Sequence, residues 1–431
     1  MARLIIEGGR RLGGRHRVSG NKNAALPMLA ACLLTDEPLC LRNLPLIDDV
    51  RTMLALLAAL GVDVHLDEVR HTVRLHAHAL RTTRLDPALC GRVRSSILFA
   101  GPLAARTGEA VLPPPGGDVI GRRRLDTHFE GLRNLGFHVA EADGAFVFRR
   151  AGAGGGGPRR LVLDEASVTA TENLLMAASL SDHPCEVYNA ACEPHVQDLC
   201  RLLQAMGAAV DGIGTNRVTV RGADRLHGAS FAVGPDAIEA GGFVCAALAT
   251  GSPLTIEGID PEDFAVLARP FAKLGARWDL TGSTLSVPGN QDLCVRDDAG
   301  HAIPKIEDGP WPACPSDLMS ALLVLATQTR GTILFFEKMF ESRLYFVDHL
   351  IGMGARIVPC DPHRVVVAGP SPLHGSRVVS PDIRAGMALL IAALAARGTT
   401  TILNAESIDR GYARIDESLR TLGARIERRS D

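Results

Sequence analysis

Six helix endings in this 431-residue chain look alike. LLAALGVDV, GLRNLGFHV, LLQAMGAAV, PFAKLGARW, LIGMGARIV and LRTLGARIE each close an amphipathic segment on glycine and pass directly into a strand-like run. Their glycines, Gly61, Gly136, Gly207, Gly275, Gly354 and Gly423, recur about every 70 residues, a longer period than solenoid repeats use. Glycine after the last helical turn takes a left-handed conformation at little cost, which ends the helix and redirects the chain. A second feature keeps the same period: Ala-rich helices followed by a short strand, as in AALPMLAACLLTDEPLCL, TENLLMAASLSDHPCEVY, AGGFVCAALATGSPLTI, DLMSALLVLATQTRGTILFF and AGMALLIAALAARGTTTI. Each repeat therefore reads as helix, strand, loop, helix, strand, strand.

A unit of this size buries its apolar faces only against its neighbours, so three units around a common core make one domain and six make two. The expected boundary lies near Leu226, His227 and Gly228, between the third and fourth units. The opening segment up to Gly20 repeats the register of GPSPLHGSRVVSPDIRAG near Gly369 and is expected to complete the C-terminal domain's sheet. The predicted domains are residues 21–229, carrying a loop at 112–124, and residues 1–20 with 230–431. The Gly-rich stretch Gly152 to Gly157 resembles a linker, but it falls between the second and third units and reads as a surface loop.

A net charge of −2 argues against a general nucleic-acid binder, so any anion site must be local. The ten cysteines show neither CxxC nor Cys/His ligand spacing, so no zinc site, no other metal and no disulfide framework is expected. A reducing cytoplasm fits that pattern. The three-residue apolar run in MARLIIEGGRRLGG is too short for a signal peptide, and the longest run, Ala385 to Ala396, is too short for a membrane span.

Four polar clusters break the repeat. Ser19-Gly20-Asn21-Lys22-Asn23 precedes an apolar helix, where free N–H groups and the helix dipole favour an anion, although an ordinary N-cap would look the same. LPPPGGDVIGRRRLDTH holds Asp118 at the tip of a Pro-Gly loop, ahead of Arg122, Arg123 and Arg124; a solvated charge run is the plainer reading, and the rigid lead counts against it. Pro315-Ser316-Asp317 opens a helix, where Asp is commonly only a cap. Ile408-Asp409-Arg410-Gly411-Tyr412 is equally readable as a structural Arg–Asp pair.

In order and spacing together, SGNKNAALP, PGGDVIGRRRLDTH, PSDL, FESR, PDIRAG and IDRGYARID closely resemble the enolpyruvyl transferases, and the resemblance runs over essentially the whole chain. It implies two inside-out α/β barrel domains, each of three repeated βαβαββ-type units, with the active site in the interdomain cleft. It also implies transfer of the enolpyruvyl group of phosphoenolpyruvate to the 3′-hydroxyl of UDP-N-acetylglucosamine, with release of phosphate and no metal or organic cofactor. Carried over by position, Lys22, Arg123 and Arg410 resemble phosphoenolpyruvate ligands, with Arg343 and Asp382 in the same pocket. Asn23 and Asp317 resemble the residues on the reacting sugar, Asp317 as the base. Arg94, Ser167, Val168 and Met339 fall where the family touches the uridine diphosphate. Several fixed guanidinium and ammonium groups suit a small phosphorylated acid.

Three positions depart from the family pattern. Asp118 stands where most members carry the cysteine that donates a proton and is alkylated by fosfomycin, so this chain is expected to be fosfomycin-insensitive. A carboxyl group is ordinarily ionised at neutral pH, so Asp118 is expected to take up its proton only beside the negative charge of bound phosphoenolpyruvate. Arg124 replaces a proline of the uridine clamp, and Glu165 replaces a lysine near the diphosphate. These changes leave two alternatives open: the same transfer to another nucleotide or nucleoside acceptor, and an inactive sugar-nucleotide-binding regulatory homologue.

Overall fold

The computed structural model describes residues 2–118, 120–150 and 158–430, so the Gly-rich stretch Gly152 to Gly157 lies outside the described residues. The chain divides into two compact units. The N-terminal unit is Gly20–Asp118 with Arg124–Gly234, and the C-terminal unit is Met1–Ser19, Val119–Arg123 and Pro235–Asp431. The boundaries therefore fall at 19/20 and 234/235 rather than at 20/21 and 229/230. The cause is hydrogen bonding: strand Ser230–Ala232 pairs in parallel with Leu39–Arg42 and keeps its residues with the N-terminal unit. The 112–124 loop is likewise not carried by one unit alone, because Ile120 O accepts from Ser342 N–H and Arg122 N–H donates to Glu341 Oε2, 3.2 Å each, all within the C-terminal unit.

Each unit has an inside-out arrangement, with helices at its centre and sheets around them. In the C-terminal unit the helices Ala237–Ala249, Ser316–Thr327 and Ile383–Ala395 pack on one another. They are buried nearly all round, as expected of helices without a polar face. The N-terminal unit repeats the scheme with Lys22–Ala31, Ala100–Thr107 led by the 3-10 turn Arg94–Phe99, and Val168–Ala178. Their small residues permit close approach. A Cβ built on Gly101 would lie 2.4 Å from the backbone oxygen of Asn173.

Among the described residues six sheets surround the helical cores, three to a unit. The common pattern is a first strand parallel to a second, which is antiparallel to one arm of a hairpin. One sheet of the C-terminal unit illustrates it: Lys305–Glu307 runs parallel to Gly331–Phe336, which pairs antiparallel with Arg364–Gly369, itself paired with Ile357–Asp361. Two sheets take their strands from distant parts of the chain. Ala2–Glu7 sits between Thr399–Leu403 and Arg425–Ser430, and Arg15–Arg17 runs parallel to Leu254–Glu257. The opening segment thus completes two sheets of the C-terminal unit.

The outer helices end as the repeat demands. Gly61, Gly136, Gly207, Gly275, Gly354 and Gly423 all have positive φ, between 76° and 107°, and each is followed by a strand. Replacing Gly423 (φ 95°) by Ala is expected to cost about 1–2 kcal/mol, the penalty of a left-handed L-residue. Gly101→Ala is expected to cost more, about 2–3 kcal/mol, because two buried helices must separate. Urea unfolding midpoints of the two variants check that order.

Candidate active site

All three central helices of the C-terminal unit begin with a carboxylate. Asp236 caps the first, accepting from Ile238 N–H at 2.9 Å and Glu239 N–H at 3.0 Å. Asp382 caps the third, accepting from Arg384 N–H at 2.8 Å and Ala385 N–H at 3.0 Å. Asp317 lies in the first turn of the second helix, and its own side chain is spent otherwise. The Arg343 guanidinium donates to Asp317 Oδ1 at 3.1 Å, and Arg384 donates to Oδ2 at 2.7 Å. Both arginines are buried, and Arg343 also lies 3.6 Å from Asp382.

Arg384 ties this network to the fourth sequence cluster. Its Nη1 donates to the Tyr412 hydroxyl at 3.3 Å. Burial alone would lower the Arg384 guanidinium, but the charge of Asp317, with Tyr412 and Asp236 behind it, reverses this and holds the group above its ordinary value. Burial pushes the Tyr412 phenol up to about 12 against the pull of Arg384. Arg410 follows the short helix Glu406–Asp409, half-buried, and that helix is anchored by Arg428, whose fork donates to Asp409 at 2.7 and 2.8 Å. Asp317, Arg343 and Asp382 are therefore joined in one network within this unit, with Arg410 two residues from its Tyr412.

The N-terminal unit carries the other predicted residues. Lys22 is the first residue of its helix and pairs with Asp49 at 2.7 Å, both nearly buried. Asn21 caps that helix, accepting from Ala24 N–H at 3.1 Å, while Asn23 is half-buried beyond it. Ser167 caps the helix that Val168 begins, accepting from Ala170 N–H at 3.4 Å. Arg94 opens the 3-10 turn and donates to the Arg124 carbonyl at 3.2 Å. Gly116 and Gly117 pack the loop onto that turn: a Cβ on Gly116 would lie 1.8 Å from Gly91 O, and one on Gly117, at φ +106°, 2.9 Å from Arg94 Cβ. Half-buried Asp118 follows immediately. Arg124 meets Asp126 at 3.6 Å and Asp164 at 3.5 Å, and exposed Glu165 lies 3.4 Å from Thr127 Oγ1. Two further predicted residues belong to the C-terminal unit: Arg123, half-buried, and Met339, an exposed side chain whose N–H donates to Asp308 at 3.4 Å.

Several participants carried no sequence signal. Arg384, Asp49 and Asp236 sit in ordinary capping or helical positions, and only folding brings them to the predicted residues. His128 is buried between Thr169 Oγ1 at 3.0 Å and Asn173 Nδ2 at 3.2 Å; burial, assisted by the charge of Arg94, pulls its imidazole down to about 3. Burial and then Glu193 raise Glu172, on the helix begun by Val168, well above the carboxylate range. Among the described residues, one group could hold a metal, Asp63, His76 and His78, with ligand atoms within 4.8 Å of one another. Asp63 and His76 are partners across two paired strands and His78 lies just past the second, which no linear spacing announces.

The fold defines an α/β protein of two three-fold units, each with buried helices inside surrounding sheets. The chain matches the family model for EPSP synthase (3-phosphoshikimate 1-carboxyvinyltransferase) over residues 6–419. It is 51% identical over 428 residues to the UDP-N-acetylglucosamine 1-carboxyvinyltransferase of Treponema denticola, covering 99% of both chains. It is 52% identical over 424 residues to the protein of the same name in Bradyrhizobium diazoefficiens, covering 98% of this chain and 97% of that one. Among solved structures it resembles the enolpyruvyl transferase NikO from Streptomyces tendae, with a TM-score of 0.87, 26% identity and coverage of 100% and 99%. The EPSP synthase of Acinetobacter baumannii, at 18% identity and a TM-score of 0.76, shares the fold over 100% of both chains. This chain belongs to the enolpyruvyl (carboxyvinyl) transferase family.

Two expectations follow for the network. Arg384→Ala removes a guanidinium from Asp317 and opens a buried space, and is expected to cost about 3–5 kcal/mol in urea unfolding, with partial recovery in Arg384→Lys. His128 binds no proton in the folded chain between pH 6.5 and about 3, whereas the unfolded chain does, so its contribution falls as pH drops through that window. His128→Asn is expected to flatten the acid side of the melting-temperature profile.

Proposed function

We propose that this protein transfers the enolpyruvyl group of phosphoenolpyruvate to the 3′-hydroxyl of UDP-N-acetylglucosamine, releasing phosphate, as the first committed step towards peptidoglycan precursors. The reading is supported by the full-length identity to transferases of that name and is carried by one observation, the Arg343–Asp317–Arg384 network at the N-termini of buried helices. Lys22, Arg123, Arg343 and Arg410 bind the phosphate and carboxylate of phosphoenolpyruvate, with Asp382 holding Arg343 in place. Arg94, Ser167, Val168 and Met339 bind the nucleotide, and Asn23 orients the sugar. No described helix is long and apolar enough to cross a membrane, and none of the ten cysteines forms a disulfide, in keeping with a cytoplasmic reaction.

In the addition step the sugar oxygen bonds to C2 of phosphoenolpyruvate while its proton passes to Asp317, and C3 receives a proton from Asp118. In the elimination step C3 gives a proton back, the C2–O bond to phosphate breaks, and the enol ether remains. Two guanidinium groups on Asp317 fix it in position, so a set geometry is what they give this carboxylate. No step calls for a metal or organic cofactor.

Incubation with both substrates is expected to yield phosphate and the enol ether in equal amounts, and a panel of other nucleotide and nucleoside acceptors tests the choice of sugar. Asp317→Asn and Asp118→Ala are each expected to lower kcat about 100- to 10,000-fold, as the loss of general acid–base groups does. Fosfomycin is expected to leave the enzyme active and without adduct, whereas Asp118→Cys acquires time-dependent inactivation. Binding of the sugar nucleotide with no product at any enzyme concentration would instead support a regulatory homologue.

A further inference from the structure

Two acidic side chains of the C-terminal unit are buried against each other beside the helix that carries Asp317. Asp308 follows the strand Lys305–Glu307, is wholly inaccessible, and accepts from the backbone N–H groups of Lys338 and Met339. Glu337 follows the strand Gly331–Phe336 and is equally inaccessible. One Glu337 oxygen accepts from the Ser316 hydroxyl at 2.7 Å. Its other oxygen, Oε2, has no donor; the strands leading to the two acids pair in parallel, Asp308 N–H donates to the Phe336 carbonyl at 3.3 Å, and the Asp308 carboxyl lies beside the Glu337 side chain.

Two ionised carboxylates in that arrangement would be repelled and desolvated together, whereas one shared proton turns the contact into a charge-assisted hydrogen bond. Among the described residues Arg343 is the cation whose charge opposes this, and burial together with Asp308 outweighs it. Arg343 is directed to Asp317 and Asp382, and Lys338 is exposed and turned towards Glu307 at 3.5 Å. The His363 ring meets the Glu337 backbone carbonyl at 2.7 Å rather than its carboxyl, and the nearby Cys314 thiol is pushed up by burial and stays neutral.

The pair touches both segments that build the surroundings of Asp317. Ser316 is the first residue of the Asp317 helix, and Lys338 and Met339 begin the turn that leads to Arg343. We propose that Glu337 and Asp308 share a single proton and act as positioning residues, tying the start of the Asp317 helix to the turn that delivers Arg343. The proposal rests on the reading of Asp317 as the base. Burial, with Asp308 beside it, raises Glu337 to about 9, so the clamp holds at neutral pH and fails in alkali, when a second negative charge enters the site.

Glu337→Gln keeps an N–H for Asp308 and an acceptor for Ser316 but cannot ionise. Its kcat at pH 7 is expected to stay within about threefold of wild type, while the wild-type alkaline limb near pH 9 disappears. The folded wild type retains a proton that the unfolded chain releases near pH 4.5, so its stability is eroded as pH rises from there to about 9. The melting temperature of Glu337→Gln relative to wild type is therefore expected to climb over the same window. Should that variant fail to fold, infrared titration of the wild type supplies the answer: a protonated carboxyl band persists at pH 7, is lost near 9, and in Asp308→Asn is lost at lower pH. Superimposable stability profiles, or no such band at pH 7, overturn the shared proton. A shared proton with an unchanged alkaline limb in Glu337→Gln overturns its role at Asp317, and the stability and infrared measurements stand whatever acceptor the enzyme uses.

Discussion

Three helices buried side by side in one unit create an electrostatic problem that the rest of the structure answers. Each brings unsatisfied N–H groups and a positive dipole end to its N-terminus, and apolar surroundings do not screen them. In the C-terminal unit the answer is carboxylates: Asp236, Asp317 and Asp382 occupy the first turns or caps of the three helices. That in turn requires cations, and buried Arg343 and Arg384 supply them. The N-terminal unit solves the same problem differently. Asn21 and Ser167 cap with neutral oxygens, the turn at Arg94 has no side-chain cap, and Lys22 and Arg94 add positive charge, the sign the helix ends already carry. One architecture thus yields an arginine-gripped carboxylate in one unit and anion-seeking helix ends in the other.

The loop between Leu112 and Arg124 depends on backbone contact more than on its charged side chains. Gly116 and Gly117 lie too close to Gly91 and Arg94 for any side chain, so the residue after them, Asp118, has its place set by the Arg94 turn. Gly121, at φ +130°, lies similarly close to Glu341 in the C-terminal unit. The glycines therefore seat the loop at both of its ends, and the prolines before them limit the conformations it loses on seating.

The repeat was legible because helix termination by glycine is a local matter. All six glycines have the left-handed backbone their positions required, and the Ala-rich segments are the buried helices. Lys22 and Asp317 could be singled out for the same reason, since the first turn of a helix is marked by its own residues, whereas Asp382 and Ser167 came only from the family resemblance. Arg384 could not. It is the second residue of an apolar helix, and only the packing of that helix on the Asp317 helix brings its guanidinium to Asp317. The unit boundary was also misplaced, because Ser230–Ala232 belongs where its hydrogen bonds go, beside a strand some 190 residues earlier.

The sequence by itself determined where helices stop, which segments must be buried, and which residues stand at helix N-termini, because these follow from backbone sterics and apolar periodicity within a few residues. Tertiary structure alone decided which charges meet. Asp317 with Arg343 and Arg384, Lys22 with Asp49, and Glu337 with Asp308 are separated by 20 to 70 residues along the chain. Their energies depend on distance and on the exclusion of water, and both come into being only when the helices and sheets close around them.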